Sequence, residues 1–314
     1  MNFYEITIKP VSGFGTPLKG DTIFGHFCWQ AVHDSALLNG NFDDHISAYP
    51  EKPFAIFSSA FPKIESCYAL KRPDMPLNLI FPLENQDKEK FHDELKKNKK
   101  KKWMKIKENL VIDLSEENFL DTGFSKFSPQ PHNTINRLTN TTGTSEFAPY
   151  SSENIYYYPE TQLALFVLID KSVTDIQKIH IALERIGKFG FGRDASTGMG
   201  KFEVLEHKEL KIPKVENANA CYTLAPCVPE KDSFEKSYFT PFVRFGKHGD
   251  IYANSKNPFK NPVLMADEGA VFKPKDKSVF EKKYLGKAVK NVSKSMPNAV
   301  VQGYTPYLPL KLES

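Results

Sequence analysis

One segment constrains this chain more than any other: Gly187-Lys188-Phe189-Gly190-Phe191-Gly192-Arg193-Asp194-Ala195-Ser196-Thr197-Gly198-Met199-Gly200-Lys201-Phe202. Its glycines permit backbone angles that residues with a Cβ resist, so the backbone can approach another molecule closely. Arg193, Ser196, Thr197 and Lys201 are interleaved with them, and all are donors suited to phosphate oxygens. Upstream, residues 163–169 form the continuous apolar run of a central strand. Thr174 with Gln177 reads as a capping box. Ile176, Ile179, Leu183 and Ile186 then fall at helical spacing, and Gly187 at C′ stops the helix. Downstream, residues 202–205 read as a strand.

That context excludes two cofactor motifs. Gly190-Phe191-Gly192-Arg193-Asp194-Ala195 matches GxGxxA, but a dinucleotide fingerprint follows a strand and opens a helix. Here the loop follows a helix and enters a strand. A P-loop needs GxxxxGK[ST], whereas Gly200-Lys201 is followed by Phe202. Lys188-Phe189-Gly190-Phe191 departs from the aromatic RNA-recognition strand motif, which has Gly after the basic residue. What remains is a loop whose successive N–H groups can form an anion-binding concavity.

The N-terminal part carries a matching unit. Tyr4, Ile6 and Ile8 alternate with Glu5, Thr7 and Lys9, which predicts a half-buried strand. A Gly- and Pro-bearing loop spans residues 10–20, and Asp21 stands where an N-cap belongs. Ile23, Phe24, Phe27, Cys28 and Ala31 make one apolar helical face, and His26, Trp29 and His33 share the outer side. Residues 54–60 read as a strand closed by Pro62. The order strand–helix–strand, strand–helix–loop–strand is the split βαβ, or ferredoxin-like, unit. Between its two parts lie a charged run from Asp87 to Lys107, in which residues 96–102 are mostly lysine, and a Thr/Asn/Ser/Pro/Tyr-rich segment at 121–161. So long a segment inside a compact domain is disordered or functional.

Beyond Pro213 a second set of strand-like stretches begins, with a turn-rich connection over residues 258–269 and closing strands at 300–301 and 307–312. The reading is α+β: two ferredoxin-like domains, 1–212 and 213–314, the second degenerate. Formal charge is +4, from 42 basic and 38 acidic residues, so any nucleic-acid site must be local. No stretch approaches the ~18 apolar residues of a membrane span, and the start lacks a secretory signal. Cys28, Cys67, Cys221 and Cys227 show no CxxC spacing and read as thiols of a reducing cytoplasm. No cofactor or metal is expected.

Several stretches together resemble RAMP proteins of CRISPR systems, and more narrowly the fourth Csm subunits of type III-A effector complexes. They are residues 18–29 (Leu-Lys-Gly-Asp-Thr-Ile-Phe-Gly-His-Phe-Cys-Trp), His132-Asn133-Thr134-Ile135-Asn136-Arg137, the loop at 190–200, Asn257-Pro258-Phe259-Lys260-Asn261-Pro262-Val263-Leu264-Met265, and Gly269-Ala270-Val271-Phe272. The resemblance implies a noncatalytic cytoplasmic subunit that grips the repeat-derived 5′ handle of the crRNA. It also implies contact with the large polymerase-like subunit and the backbone RAMP subunit, and a thumb-like hairpin at 121–161.

The candidate RNA-binding residues are Gly190, Gly192, Arg193, Ser196, Thr197, Gly198, Gly200 and Lys201 in the loop, Lys19 before the first helix, Asn133 and Arg137 in the middle, and Arg244 and Lys247 in a basic turn with His248. Tyr156, Tyr157 and Tyr158 offer stacking rings, of which alternate ones pack in a hairpin. The lysines of 96–102 and 273–294 read as solvated faces, with RNA contact as the alternative. The rival reading is a repeat-processing endoribonuclease using His26, since the processing members of the superfamily use a histidine.

Overall fold

The computed structural model describes residues 1–82, 88–143 and 147–312. Asp87 of the charged run and residues 144–146 of the inserted segment lie outside the described residues. The N-terminal elements are β1 (Asn2–Pro10), α1 (Gly20–His33), α2 (Phe42–Ala48), β2 (Ala55–Ile64), β3 (Cys67–Lys71), α3 (Leu77–Ile80), α4 (Lys88–Lys100), β4 (Trp103–Lys107), β5 (Phe119–Leu120), β6 (Ser125–His132), β7 (Tyr150–Tyr157), β8 (Gln162–Ile169), α5 (Ile176–Phe189) and β9 (Phe202–Leu210). A seven-stranded antiparallel sheet runs β5-β4-β3-β2-β8-β1-β9. Its β2-β8-β1-β9 part is made by the passes β1-α1-β2 and β8-α5-β9. Helix α1 packs on β2 and against α5, which packs on β9.

Local expectations hold in outline and shift in detail. Strand β1 is buried on both faces: Glu5 and Thr7 are 1% exposed. The charge of Glu5 is tolerated because Lys63 lies 2.8 Å away, Lys208 3.3 Å, and the Tyr68 hydroxyl donates at 2.5 Å. Burial pushes the Glu5 carboxyl up, but Lys63, Tyr68 and Lys208 outweigh it and leave its pKa below the ordinary value. Strand β2 runs through Pro62, because β3 pairs with it only at Lys63 and Ile64, so the missing N–H of Pro62 breaks no bond on that side. Helix α5 is capped by Asp175, which accepts from Lys178 N–H, while Thr174 donates to Leu37 O. It stops at Gly190 (φ 108°), not at Gly187. Gly187 is a packing glycine, since a Cβ there would sit 2.1 Å from Phe202 O.

The C-terminal part comprises β10 (Ala220–Thr223), β11 (Phe234–Tyr238), β12 (Pro241–Arg244), β13 (Val263–Ala266), β14 (Val271–Pro274), β15 (Tyr284–Gly286) and β16 (Tyr304–Leu310). Five strands form a sheet in the order β11-β14-β10-β16-β15, and β12 with β13 makes a ribbon. Val263–Ala266, inside the expected turn-rich connection of 258–269, is therefore a strand. Among the described residues beyond 212 there is no α-helix, so the helices of a second βαβ unit are missing there. Pro226, Pro229, Pro241, Pro258 and Pro262 interrupt that half repeatedly.

The two halves share one hydrophobic core, in which Phe3, Phe57 and Phe166 join Tyr222, Val271 and Leu308. Buried Gln302 reaches into β2: its Nε2 donates to Phe57 O (2.8 Å) and its Oε1 accepts from Phe57 N–H (3.0 Å). It satisfies the β2 backbone where the register with β8 slips between Phe57 and Ala60. Strands β6 and β7 form a separate hairpin in the expected thumb region. Its root is tied to the loop after β1 by reciprocal bonds, Phe14 N–H to Ile155 O (2.8 Å) and Ile155 N–H to Phe14 O (2.9 Å).

Candidate nucleic-acid interface

The glycine loop is held in shape by its own backbone and by the loop after β1. Gly190, Gly192, Gly198 and Gly200 all have positive φ. A Cβ on Gly200 would lie 2.1 Å from Phe191 O, and one on Gly192 would lie 2.5 Å from Thr16 Cβ. A Cβ on Gly198 would meet nothing within 4 Å. Phe191 N–H donates to Gly200 O (2.9 Å) and Gly200 N–H to Gly13 O (2.7 Å). Arg193 N–H donates to Thr16 Oγ1 and Lys201 N–H to Ser12 Oγ, each at 2.9 Å. Met199 N–H and Thr197 N–H donate to Asp194 O. Most of the loop's donors are thus spent within the protein, contrary to a fully open anion nest. What the loop presents outward is an edge of side chains: Arg193, Ser196, Thr197 and Lys201 are exposed.

Arg193 does more than face solvent. One of its Nη groups donates to Glu153 O (2.8 Å) and Asn154 Oδ1 (3.1 Å), and its Nε lies 3.2 Å from Asp194. Asn154 is fully buried and donates in turn to Gln130 Oε1 (2.6 Å). The guanidinium therefore fastens the loop to the hairpin root and still has its other Nη free of the contacts above. Tyr156 lies against Gly13, Tyr157 meets Phe14 edge to face at 5.8 Å, and Tyr158 is half exposed. The first two rings are packing groups. Among the described residues Lys188 and Lys201 have no ion-pair partner.

His26 is not on an outer helical face. It turns toward the loop, tilts over the Phe191 ring at 4.6 Å, and its Nε2 accepts from Gly192 N–H at 3.1 Å. Burial pushes its pKa down to about 4, so the imidazole is neutral at physiological pH.

The remaining candidates separate. Asn133 and Arg137 are exposed beyond the last hairpin pair, His132 with Tyr150, well along the chain from the loop. Lys247 is exposed, with its ammonium 5.9 Å from the Phe259 ring. Lys19 and Arg244 are committed to acids. Lys19 Nζ lies 2.5 Å from Asp267 Oδ1 and 2.7 Å from both Glu268 carboxylate oxygens. Burial works against its charge, but Glu268 and Asp267 outweigh that and raise its pKa. Arg244 grips Asp21 through Nε (2.5 Å) and Nη2 (2.9 Å). The Lys19 ammonium and the Arg244 guanidinium each sit 4.8 Å from the Phe242 ring. These contacts seal the start of α1 to the C-terminal half and engage the Lys19 ammonium and the Arg244 guanidinium with carboxylates. His248 is buried against Ser293.

Sequence reasoning missed Asn154, Ser12 and Thr16. A buried Asn in a hairpin whose other residues are exposed or half-buried leaves no mark in the sequence. The loop after β1 was visible through Gly13, Gly15 and Pro17, but not what it would hold. Among the described residues no cluster of three or more His, Cys, Asp or Glu could hold a metal, and no helix is long and apolar enough to cross a membrane.

No protein-family model matches the chain, and no curated protein sequence matches it. Solved structures do. A chain of a Csm1–Csm4 cassette in complex with cA4 superposes with a TM-score of 0.61 at 18% identity, over 99% of each chain. A chain of the cassette in complex with pppApA gives 0.59 at 19% identity, over 100% of this chain and 99% of that one. A chain of a Csm3–Csm4 subcomplex gives 0.59 at 16% identity, over 99% of this chain and 100% of that one. From end to end, this protein shares its fold with chains of Csm assemblies of type III-A CRISPR–Cas systems.

Proposed function

We propose that the chain is a noncatalytic RNA-binding subunit of a type III-A CRISPR effector complex. In this reading it holds the repeat-derived 5′ handle of the crRNA and joins the large polymerase-like subunit to the backbone RAMP subunit. Residues 1–212 act as a ferredoxin-like RAMP unit, for which the order β2-β8-β1-β9 speaks. Residues 213–314 act as its degenerate partner, reduced to strands.

One observation carries the reading: the glycine loop, the loop after β1 and the root of the β6–β7 hairpin are bonded into one ridge. Along it stand the exposed Arg193, Ser196, Thr197 and Lys201, and the hairpin carries Asn133 and Arg137 outward. Donors of this kind contact phosphate oxygens, and phosphate contacts set register on a strand without reading its sequence. The neutral His26, occupied by Gly192 N–H, is no free general base, which favours a binding role over the endoribonuclease reading. Likeness to chains solved with Csm1 and with Csm3 supports the two protein partners.

The test is to coexpress the complex with Lys201→Glu and Ser196→Asp and to quantify copurified guide RNA. Bound guide should fall while the protein subunits still assemble. Undiminished guide with an unchanged 5′ end would refute the reading.

A further inference from the structure

His26 meets the glycine loop at two points. The Gly192 N–H bond fixes which ring nitrogen carries the lone pair: Nε2 accepts, so the proton of the neutral ring sits on Nδ1. The same ring covers Phe191, which is 1% exposed and part of the core. His26 therefore touches two consecutive residues of the loop, one through its face and one through its edge. The next residue, Arg193, begins the exposed edge and also holds the hairpin. Gly192 has φ 74° and lies against Thr16, so its peptide has few alternatives once its N–H is held.

We infer that His26 is a positioning residue for RNA binding: its neutral imidazole pins the Gly192 peptide and thereby aims the edge of residues 193–201 at the strand. The inference rests on the proposed RNA-binding role, and it assigns His26 no contact with RNA.

Three variants of the full chain separate its parts. His26→Phe keeps a ring over Phe191 and lacks the acceptor. His26→Gln places a side-chain oxygen at about the reach of Nε2, and His26→Asn is too short. Amide hydrogen exchange across residues 190–200 reads the pin without RNA. It should speed up in the Phe and Asn variants and return toward wild type in the Gln variant. Affinity for a single-stranded RNA bearing the 5′ handle is then measured over a salt series. The Phe and Asn variants should bind about tenfold more weakly, the effect of one lost hydrogen bond. The Gln variant should recover most of that. The slope of log affinity against log salt should be unchanged in all three, because the loop, once ordered on the RNA, makes the same phosphate contacts.

Unchanged exchange in His26→Phe, or a Gln variant as impaired as Phe, would overturn the inference. So would a salt slope reduced by about one, which marks a direct phosphate contact. If Phe fails to fold, the Asn–Gln comparison decides. Exchange that follows the predicted order in a chain with no measurable affinity for this RNA would place the failure with the RNA-binding reading instead.

Discussion

Replacing Lys19 by Met separates clamp from RNA contact most sharply. In the wild type its ammonium lies within 2.7 Å of both Asp267 and Glu268, and side-chain exposure is 12%, 18% and 16% for the three. Removing one member of a buried charge group costs about 3–5 kcal/mol, because the remaining charges stay desolvated. Lys71, 3.4 Å from Asp267, survives and offsets part of that, so a loss of about 3 kcal/mol is expected. Urea unfolding of the purified chain measures it as a lower midpoint at an unchanged slope. The pH dependence gives a second readout. Burial already raises the Glu268 carboxyl above its ordinary value, and without Lys19 it rises further. A carboxyl whose folded pKa exceeds its unfolded pKa adds stability at low pH and loses it as pH rises. Lys19→Met should therefore be more damaging at pH 7.5 than at pH 5, and adding Glu268→Gln should restore part of the stability. A loss below about 1 kcal/mol would refute the clamp. A stable variant whose RNA affinity falls with a shallower salt slope would restore Lys19 to the interface.

Other expectations follow from the same geometry. Gly200→Ala forces a Cβ to 2.1 Å from Phe191 O, whereas Gly198→Ala meets nothing within 4 Å. The latter should cost only the positive-φ strain of about 1–2 kcal/mol by thermal unfolding, and the former clearly more. The folded pKa of His26 is about 4 against an ordinary 6.5, so wild-type stability should decline by about 3 kcal/mol as pH falls from 6.5 to 4. In His26→Gln this component of the pH profile should vanish, as checked by denaturant midpoints at each pH. Asn154→Ala removes the buried acceptor of Arg193 and the donor to Gln130. It should cost about 1–3 kcal/mol and make the β6–β7 hairpin more readily cleaved by limited proteolysis.

What was legible in the sequence followed from local periodicity. The β1-α1-β2 and β8-α5-β9 passes declare themselves through alternation, helical spacing and the apolar run at 163–169. The glycine loop declares itself through the order helix, loop, strand. Long-range pairing was not legible. Lys19 and Asp267 are 248 residues apart, and a lysine before a helix looks the same whether it meets a phosphate or a carboxylate. The pairing of Arg244 with Asp21, 223 residues apart, is hidden for the same reason. The C-terminal half shows its strand-like stretches in the sequence, but the absence of α-helices among its described residues beyond 212 follows from prolines that favour strands and turns. His26 was placed by helical angle alone, which cannot show that the loop of a distant helix folds back over it.

The ridge of loop and hairpin is proposed to meet guide RNA. Photocrosslinking of guide RNA within the assembled complex, mapped by residue, tests it most directly. Crosslinks from the 5′ handle should concentrate at residues 193–201, with others at Asn133 and Arg137 on the hairpin. A guide that crosslinks to this chain only elsewhere, leaving both segments unmarked, would contradict it.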